Sequence, residues 1–165
     1  MNLQDVEIDA TIRLESELRD HLLLCSAARD LVGLALDAVP DQPLVDVSPS
    51  LKATTNLLVR LCNDLRCISL VSRCGYGVQA VSLAASIYEA AVTSTTIGDD
   101  DDLAGEWIHH NDPTRSFRRI LSLTEQALAR LGVPDPESQA KLEYRTYRQL
   151  CMAKHANPLY QMGHG

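Results

Sequence analysis

The stretch Gly77-VQAVSLAASIYEAAVTSTT-Ile97 decides the fold. Alanine and serine occupy most sides of its helical wheel, so neighbouring backbones can approach it closely from several directions. A helix that is small and apolar around most of its circumference belongs inside a bundle, not on its surface. Its β-branched residues weaken helix propensity only slightly, and Gly98 supplies the stop.

Working towards the N-terminus, a helix opens after Ser48 with Pro49 at its first position, where proline's missing N–H costs nothing. Its apolar stripe is Leu51, Thr54, Leu58, Leu61, Leu65 and Ile68, and it ends near Gly75. Before it, Leu14, Leu18, Leu22, Cys25, Val32 and Leu36 recur at three-, four- and seven-residue steps. That is the period of one helix face, and it predicts a long first helix from Asp5 to Ala38. Leu23, Leu24, Leu31 and Leu34 broaden the face, so this helix is expected to meet more than one neighbour. Pro40-Asp-Gln-Pro43 then breaks it.

Towards the C-terminus, Asp99 to Asp102 provide the negative charge that a helix N-terminus favours, ahead of a short helix from Leu103 to His110. Asp112-Pro113 opens a fifth helix with the face Phe117, Ile120, Leu121, Thr124, Leu128 and Leu131, closed by Gly132. Asp135-Pro136 repeats the device for a last helix that Pro158 stops. The reading is all-α: a single-domain antiparallel bundle of about five to six helices over residues 1–165.

Composition agrees. A chain of 165 residues is long enough to bury about two-thirds of its unfolded surface. Aromatics are only 4% of it, so leucine, valine, isoleucine and alanine must build the core. The start, MNLQDVEID, has no basic region or apolar block, and no run reaches the ~18 apolar residues of a membrane span. Five cysteines without a C-x-x-C pair are expected to be reduced, buried thiols of a cytoplasmic protein.

The net charge of −7 conceals an asymmetry. Residues 1–112 carry 7 basic and 18 acidic side chains, −11; residues 113–165 carry 8 and 4, +4. The acidic balance opposes non-specific binding to nucleic acid, whose affinity comes from Lys and Arg displacing counterions. The basic C-terminal third leaves room for a smaller anionic partner.

Chemistry concentrates on the last helix. Residues advance about 100° each, so with Arg148 at zero, Tyr144 lies at about −40°, Cys151 at about −60° and His155 at about −20°. An arginine and a histidine projecting together can stabilise phosphorane-like charge and move a proton, the two tasks of metal-free RNA cleavage. The structural alternative has Tyr144 and Cys151 in the core, Arg148 paired with an acid, and His155 bonded to a carbonyl near the helix end. On the central helix, Glu89 falls within about 60° of Ala85 and Val92, on a face read as buried. A buried carboxylate needs a partner. It either orients Arg148 or His155, or forms a structural ion pair with one of Arg115, Arg118, Arg119, Arg145 and Arg148. Glu106, His109, His110 and Asp112 are metal-ligand types but do not make H-E-x-x-H. A solvated turn explains them, and no metal or cofactor is expected. Trp107 reads as a packing anchor beside Leu103.

The segment Tyr147-RQLCMAK-His155-AN-Pro158 is similar to the R-x(4–6)-H signature of the HEPN superfamily of helical bundles. Ala80 through Glu89 to Trp107 and His110 also resembles an uncharacterised bacterial domain-of-unknown-function family. The resemblance is strongest over residues 60–158, although Ala85 stands where an arginine is expected four residues before Glu89. It implies a metal-independent endoribonuclease of a toxin–antitoxin or antiphage defence system. Arg148 and His155 would then be catalytic, and Tyr144 and Glu89 supporting. It also implies a homodimer, because HEPN sites form where two such helices meet, with RNA as substrate. The other reading is a non-catalytic interaction module or antitoxin-type partner on the same bundle, with a protein as its partner and no membrane.

Overall fold

The computed structural model describes residues 2–41, 43, 46–110 and 118–154, with nothing said of the side chains of 153 and 154. These residues form seven helices and no strand: α1 (Leu3–Glu17), α2 (Arg19–Asp37), α3 (Pro49–Arg73), α4 (Gly77–Ile97), α5 (Asp101–Ile108), α6 (Ile120–Arg130) and α7 (Pro136–Lys154). The all-α bundle is as expected, with seven helices in place of five or six.

α4 is the hub. It packs against α3, α5, α6 and α7, and it buries Ala80, Ala85, Ala90, Val92, Thr93, Thr96 and Ile97. The main core sets Ile97 and Ala90 against Ala53, Leu57 and Leu61 of α3 and Ala104 of α5, with Trp107 and Leu103 packed beside them. A second cluster joins Val92 to Leu123 and Ala127 of α6. Two of the three buried threonines, Thr96 of α4 and Thr124 of α6, bond back into their own helices. Thr96 donates to the Val92 carbonyl at 2.8 Å and Thr124 to that of Ile120 at 2.8 Å, the bond a helical threonine makes to its own preceding turn.

The helix ends follow their cap chemistry. Ser48 Oγ accepts from Leu51 N at 3.2 Å, and Asp100 Oδ1 from Leu103 N at 2.9 Å. Asp135, in the left-handed region at φ 49°, accepts from Ser138 N at 3.2 Å. The short helix therefore starts at Asp101, two residues earlier than read from sequence. Asp101 does more than neutralise a helix end: its Oδ1 accepts from Ser50 N at 3.0 Å and ties α5 to the start of α3.

Three other expectations are corrected. The buried stripe of α3 is Ala53, Leu57, Leu61 and Leu65, a straight four-residue ladder against α4, and Leu51, Thr54, Leu58 and Ile68 are only half-buried beside it. The fifth helix of the sequence reading begins at Ile120, because Arg119 is extended (φ −63°, ψ 127°); its expected opening at Asp112-Pro113 lies outside the described residues. The long first helix is divided at Leu18, where ψ turns to 6°. No glycine or proline marks that break, and hydrogen bonds from Leu18 N to Leu14 O and Leu22 N to Leu18 O continue through it. Tertiary contact accounts for the division: α2 runs along α3, whereas α1 docks on the turn between α3 and α4. There Ala10 is buried and Tyr76 donates to Glu7.

Gly75 makes that docking possible. Its φ is 84°, and a Cβ built on it would sit 3.3 Å from the Ala10 Cβ. Gly75→Ala is expected to destabilise the fold by about 1–2 kcal/mol, through the left-handed backbone and the displaced α1. Equilibrium urea unfolding measures it.

The cysteines are not the buried thiols anticipated. All five are free, Cys67 is exposed and the other four are half-buried.

Candidate functional site

Ala140 of α7 is fully buried, and Glu143, Tyr144, Tyr147, Leu150 and Cys151 are half-buried along the same side. These positions repeat at three and four residues, the seam that α7 turns towards α4 and α6. Arg145, Arg148 and Gln149 are exposed. The four-residue stripe read from sequence is thus split by the structure: Tyr144 and Cys151 lie on the packed side, and Arg148 projects away from it. His155 lies outside the described residues.

The inner side of α7 carries a polar ladder. Tyr147 Oη donates to Glu89 Oε1 of α4 at 2.7 Å, which gives the carboxylate predicted to need a partner a phenol donor. Tyr88 Oη donates to Glu143 Oε2 at 3.2 Å and sits 2.9 Å from Thr124 Oγ1 of α6. Gln139 Nε2 donates to the other oxygen of Glu143 at 3.2 Å. The rings of Tyr88 and Tyr147 stack with centroids 5.4 Å apart, and Tyr144 stacks on Tyr147 at 6.0 Å. Three of the chain's five tyrosines thus meet where α4 crosses α7, and the hydroxyls of Tyr88 and Tyr147 fix the register of α4, α6 and α7.

Glu89 and Tyr147 also form part of the wall of a cavity of about 220 Å³ with Arg60 of α3, Trp107 of α5 and Arg118 just before α6. Arg118 Nη2 bonds Glu106 Oε2 at 3.1 Å. Arg148 instead borders a separate, shallow pocket of about 210 Å³ with Arg145, Gln149 and Met152. Glu89 and Arg148 therefore face different spaces, and Tyr144 touches the inner one through Tyr147. Tyr147 and Arg60 have no role in the sequence reading, and Arg118 appears there only as one possible ion partner of Glu89. For Tyr147 a signal existed: aromatics are scarce, and Tyr144 and Tyr147 stand three apart on one helix.

Among the described residues Arg29, Arg60, Arg118 and Arg130 form ion pairs with carboxylates, whereas Arg148 and Arg145, like Arg13, Arg19, Arg66, Arg73 and Arg119, do not. Two neighbouring guanidiniums without an acidic partner among the described residues are suited to an external anion. Glu106, His109 and His110 do not converge. Among the described residues no three His, Cys, Asp or Glu side chains are grouped to hold a metal ion, and Asp112 lies outside them.

Burial pushes the Tyr88 phenol up to about 12, with Glu143 adding to the rise and Thr124 opposing it. Tyr147 is raised too, by burial first, then by its hydrogen bonds to Cys151 and Glu89. Both shifts have one sign for stability. Below the ordinary tyrosine value of 10.0 both states keep the proton; above it the unfolded chain ionises first and is favoured. The melting temperature is expected to fall as pH rises from 10 towards 12, with a late-titrating fraction in the 295 nm phenolate absorbance of the folded protein.

No family model matches the chain, and neither a curated protein nor a solved structure matches it. The class that fold and site define is an α-helical bundle with a tyrosine–glutamate ladder inside and an arginine pair outside on the same helix. No described helix is long and apolar enough to cross a membrane.

Proposed function

We propose that this bundle is HEPN-like and acts on RNA as a metal-independent endoribonuclease of a defence or toxin–antitoxin system. The observation that carries the reading is the exposure of Arg148 beside Arg145 on one helix, with no acid among the described residues paired to either. In this reading the RNA 2′-hydroxyl attacks the adjacent phosphorus and expels the 5′-oxygen. Arg148 stabilises the charge that develops on the phosphoryl oxygens, and His155 moves the proton. Tyr144 and Glu89 contribute at a distance, by holding α7 in register through Tyr147. Two copies meet along α7, so that each contributes an Arg148 and a His155 to one cleft.

The experiment is cleavage of total RNA by purified protein in excess EDTA. Arg148→Ala and His155→Ala are each expected to lower the rate about 100-fold or more with unchanged circular dichroism melts. Sedimentation should show a dimer. Cleavage that persists undiminished in His155→Ala, or no cleavage by the wild type, overturns the assignment.

A further inference from the structure

α1 and α2 have only one side covered. Among the described residues they pack against α3, the turn that follows it and each other, and against no other helix. α2 turns Leu22, Cys25, Val32 and Leu36 inward, half-buried, and has no fully buried residue. Its opposite side is not polar. Leu24, Ala27, Leu31, Leu34 and Ala38 succeed one another at steps of three and four, and all are exposed, the leucines by 66–69%. That spacing is the a/d seam of a coiled coil, with alanines that let a partner backbone come close. Leu23 widens it, and at its N-terminal end it runs into a groove of about 550 Å³ lined by Ile12, Arg19, Leu22, Leu23 and Arg73. A continuous apolar strip on a helix pair that is otherwise heavily charged marks an interaction surface.

Charge selects the occupant. Along one edge of the seam stand Asp30 and Asp37, with Asp20 one turn before Leu24. Of the two arginines of α2, Arg29 is already bonded to Asp30 at 2.9 Å and Arg19 lies in the groove at the N-terminal end. α2 carries 2 basic and 3 acidic side chains, and α1 beside it adds 1 basic and 5 acidic. A second copy would bring one acidic helix pair against another and, packed antiparallel, one aspartate edge against the other. A basic helix gains where a second copy loses.

We infer that the outer face of α2 docks an amphipathic helix of another protein, one with leucines at heptad spacing and lysine or arginine along its flanks. This surface lies on different helices from Arg148, and the inference is independent of the proposed activity.

The test uses the full chain and a fluorescein-labelled peptide of about 21 residues, three heptads, with leucine at a and d and lysine at e and g. A matched peptide carries glutamate at e and g. By anisotropy the lysine peptide is expected to bind one to one and at least tenfold more tightly than the glutamate peptide, with affinity falling as salt rises. The charge-neutral pair Leu31→Ser with Leu34→Ser is expected to weaken it at least tenfold while leaving the circular dichroism melt in place, because both side chains are already in water. Asp30→Asn with Asp37→Asn should weaken it less. Equal affinity for the two peptides, no binding of either, or undiminished binding by the serine variant overturns the inference. So does a wild-type dimer in sedimentation that the serine variant converts to monomer, since the seam would then join two copies.

Discussion

Ile97→Ala is expected to destabilise the protein by about 3–4 kcal/mol, near the upper part of the range for emptying a buried aliphatic site. Ile97 is fully buried at the last position of α4, where α3 and α5 converge. Its neighbours in that cluster include Ala53, Ala90 and Ala104. Alanine side chains have no rotamers with which to move into a void, so the space left by three carbons stays open and the full cavity cost is paid. A domain of this size loses a few degrees of melting temperature per kcal/mol, so the shift should be roughly 10 °C. Leu142→Ala is the control, because that leucine on α7 is 56% exposed; its effect should stay within about 0.5 kcal/mol. Urea unfolding of both variants makes the comparison. A loss below about 1 kcal/mol for Ile97→Ala would mean that the α3–α4–α5 junction collapses around the gap and is not the rigid core described.

The same junction shows what the sequence made legible. A run rich in alanine and serine has only one economical place in a bundle, and α4 occupies it. Cap residues such as Ser48, Asp100 and Asp135 located helix starts to within two residues, because capping is local chemistry. Legibility failed where the deciding contact was distant. Leu18 carries no breaker, and the division between α1 and α2 follows from the docking of Ala10 against Gly75, far along the chain. On α3 the stripe read from Leu51, Thr54 and Leu58 gave way to one built on Ala53 and Leu57, because the small residues of α4 face it. The last helix posed the same ambiguity at the candidate site. Stripes through Tyr144–Arg148–Cys151 and through Ala140–Tyr144–Tyr147–Cys151 differ by a small rotation of the wheel. The hydroxyl of Tyr147 and the carboxylate of Glu89 decide between them, and neither residue reveals the other until the helices are assembled.

Tyr147 and its neighbour Arg148 should therefore respond to substitution in opposite ways. Tyr147→Ala removes the ring that stacks between Tyr88 and Tyr144, and it removes the donor to Glu89. The expected loss is about 3 kcal/mol, the low end of the range for truncating a large aromatic, because the ring is only half-buried. Tyr147→Phe keeps the stack and removes the hydroxyl alone, so it should cost about 1–2 kcal/mol, the penalty of a partly buried carboxylate deprived of a donor. It should also remove one late-titrating phenol from the alkaline absorbance profile while leaving that of Tyr88. Arg148→Ala, one position on, breaks no contact within the described fold and should shift stability by less than about 0.5 kcal/mol. If the proposed activity holds, that variant nevertheless loses RNA cleavage, whereas Tyr147→Phe retains most of it at temperatures well below its melt. The opposite result, cleavage lost in Tyr147→Phe and kept in Arg148→Ala, would move the chemistry from the outer arginines to the inner cavity beside Glu89. An equal loss of stability in both variants would instead show that α7 presents a different face to the bundle from the one described.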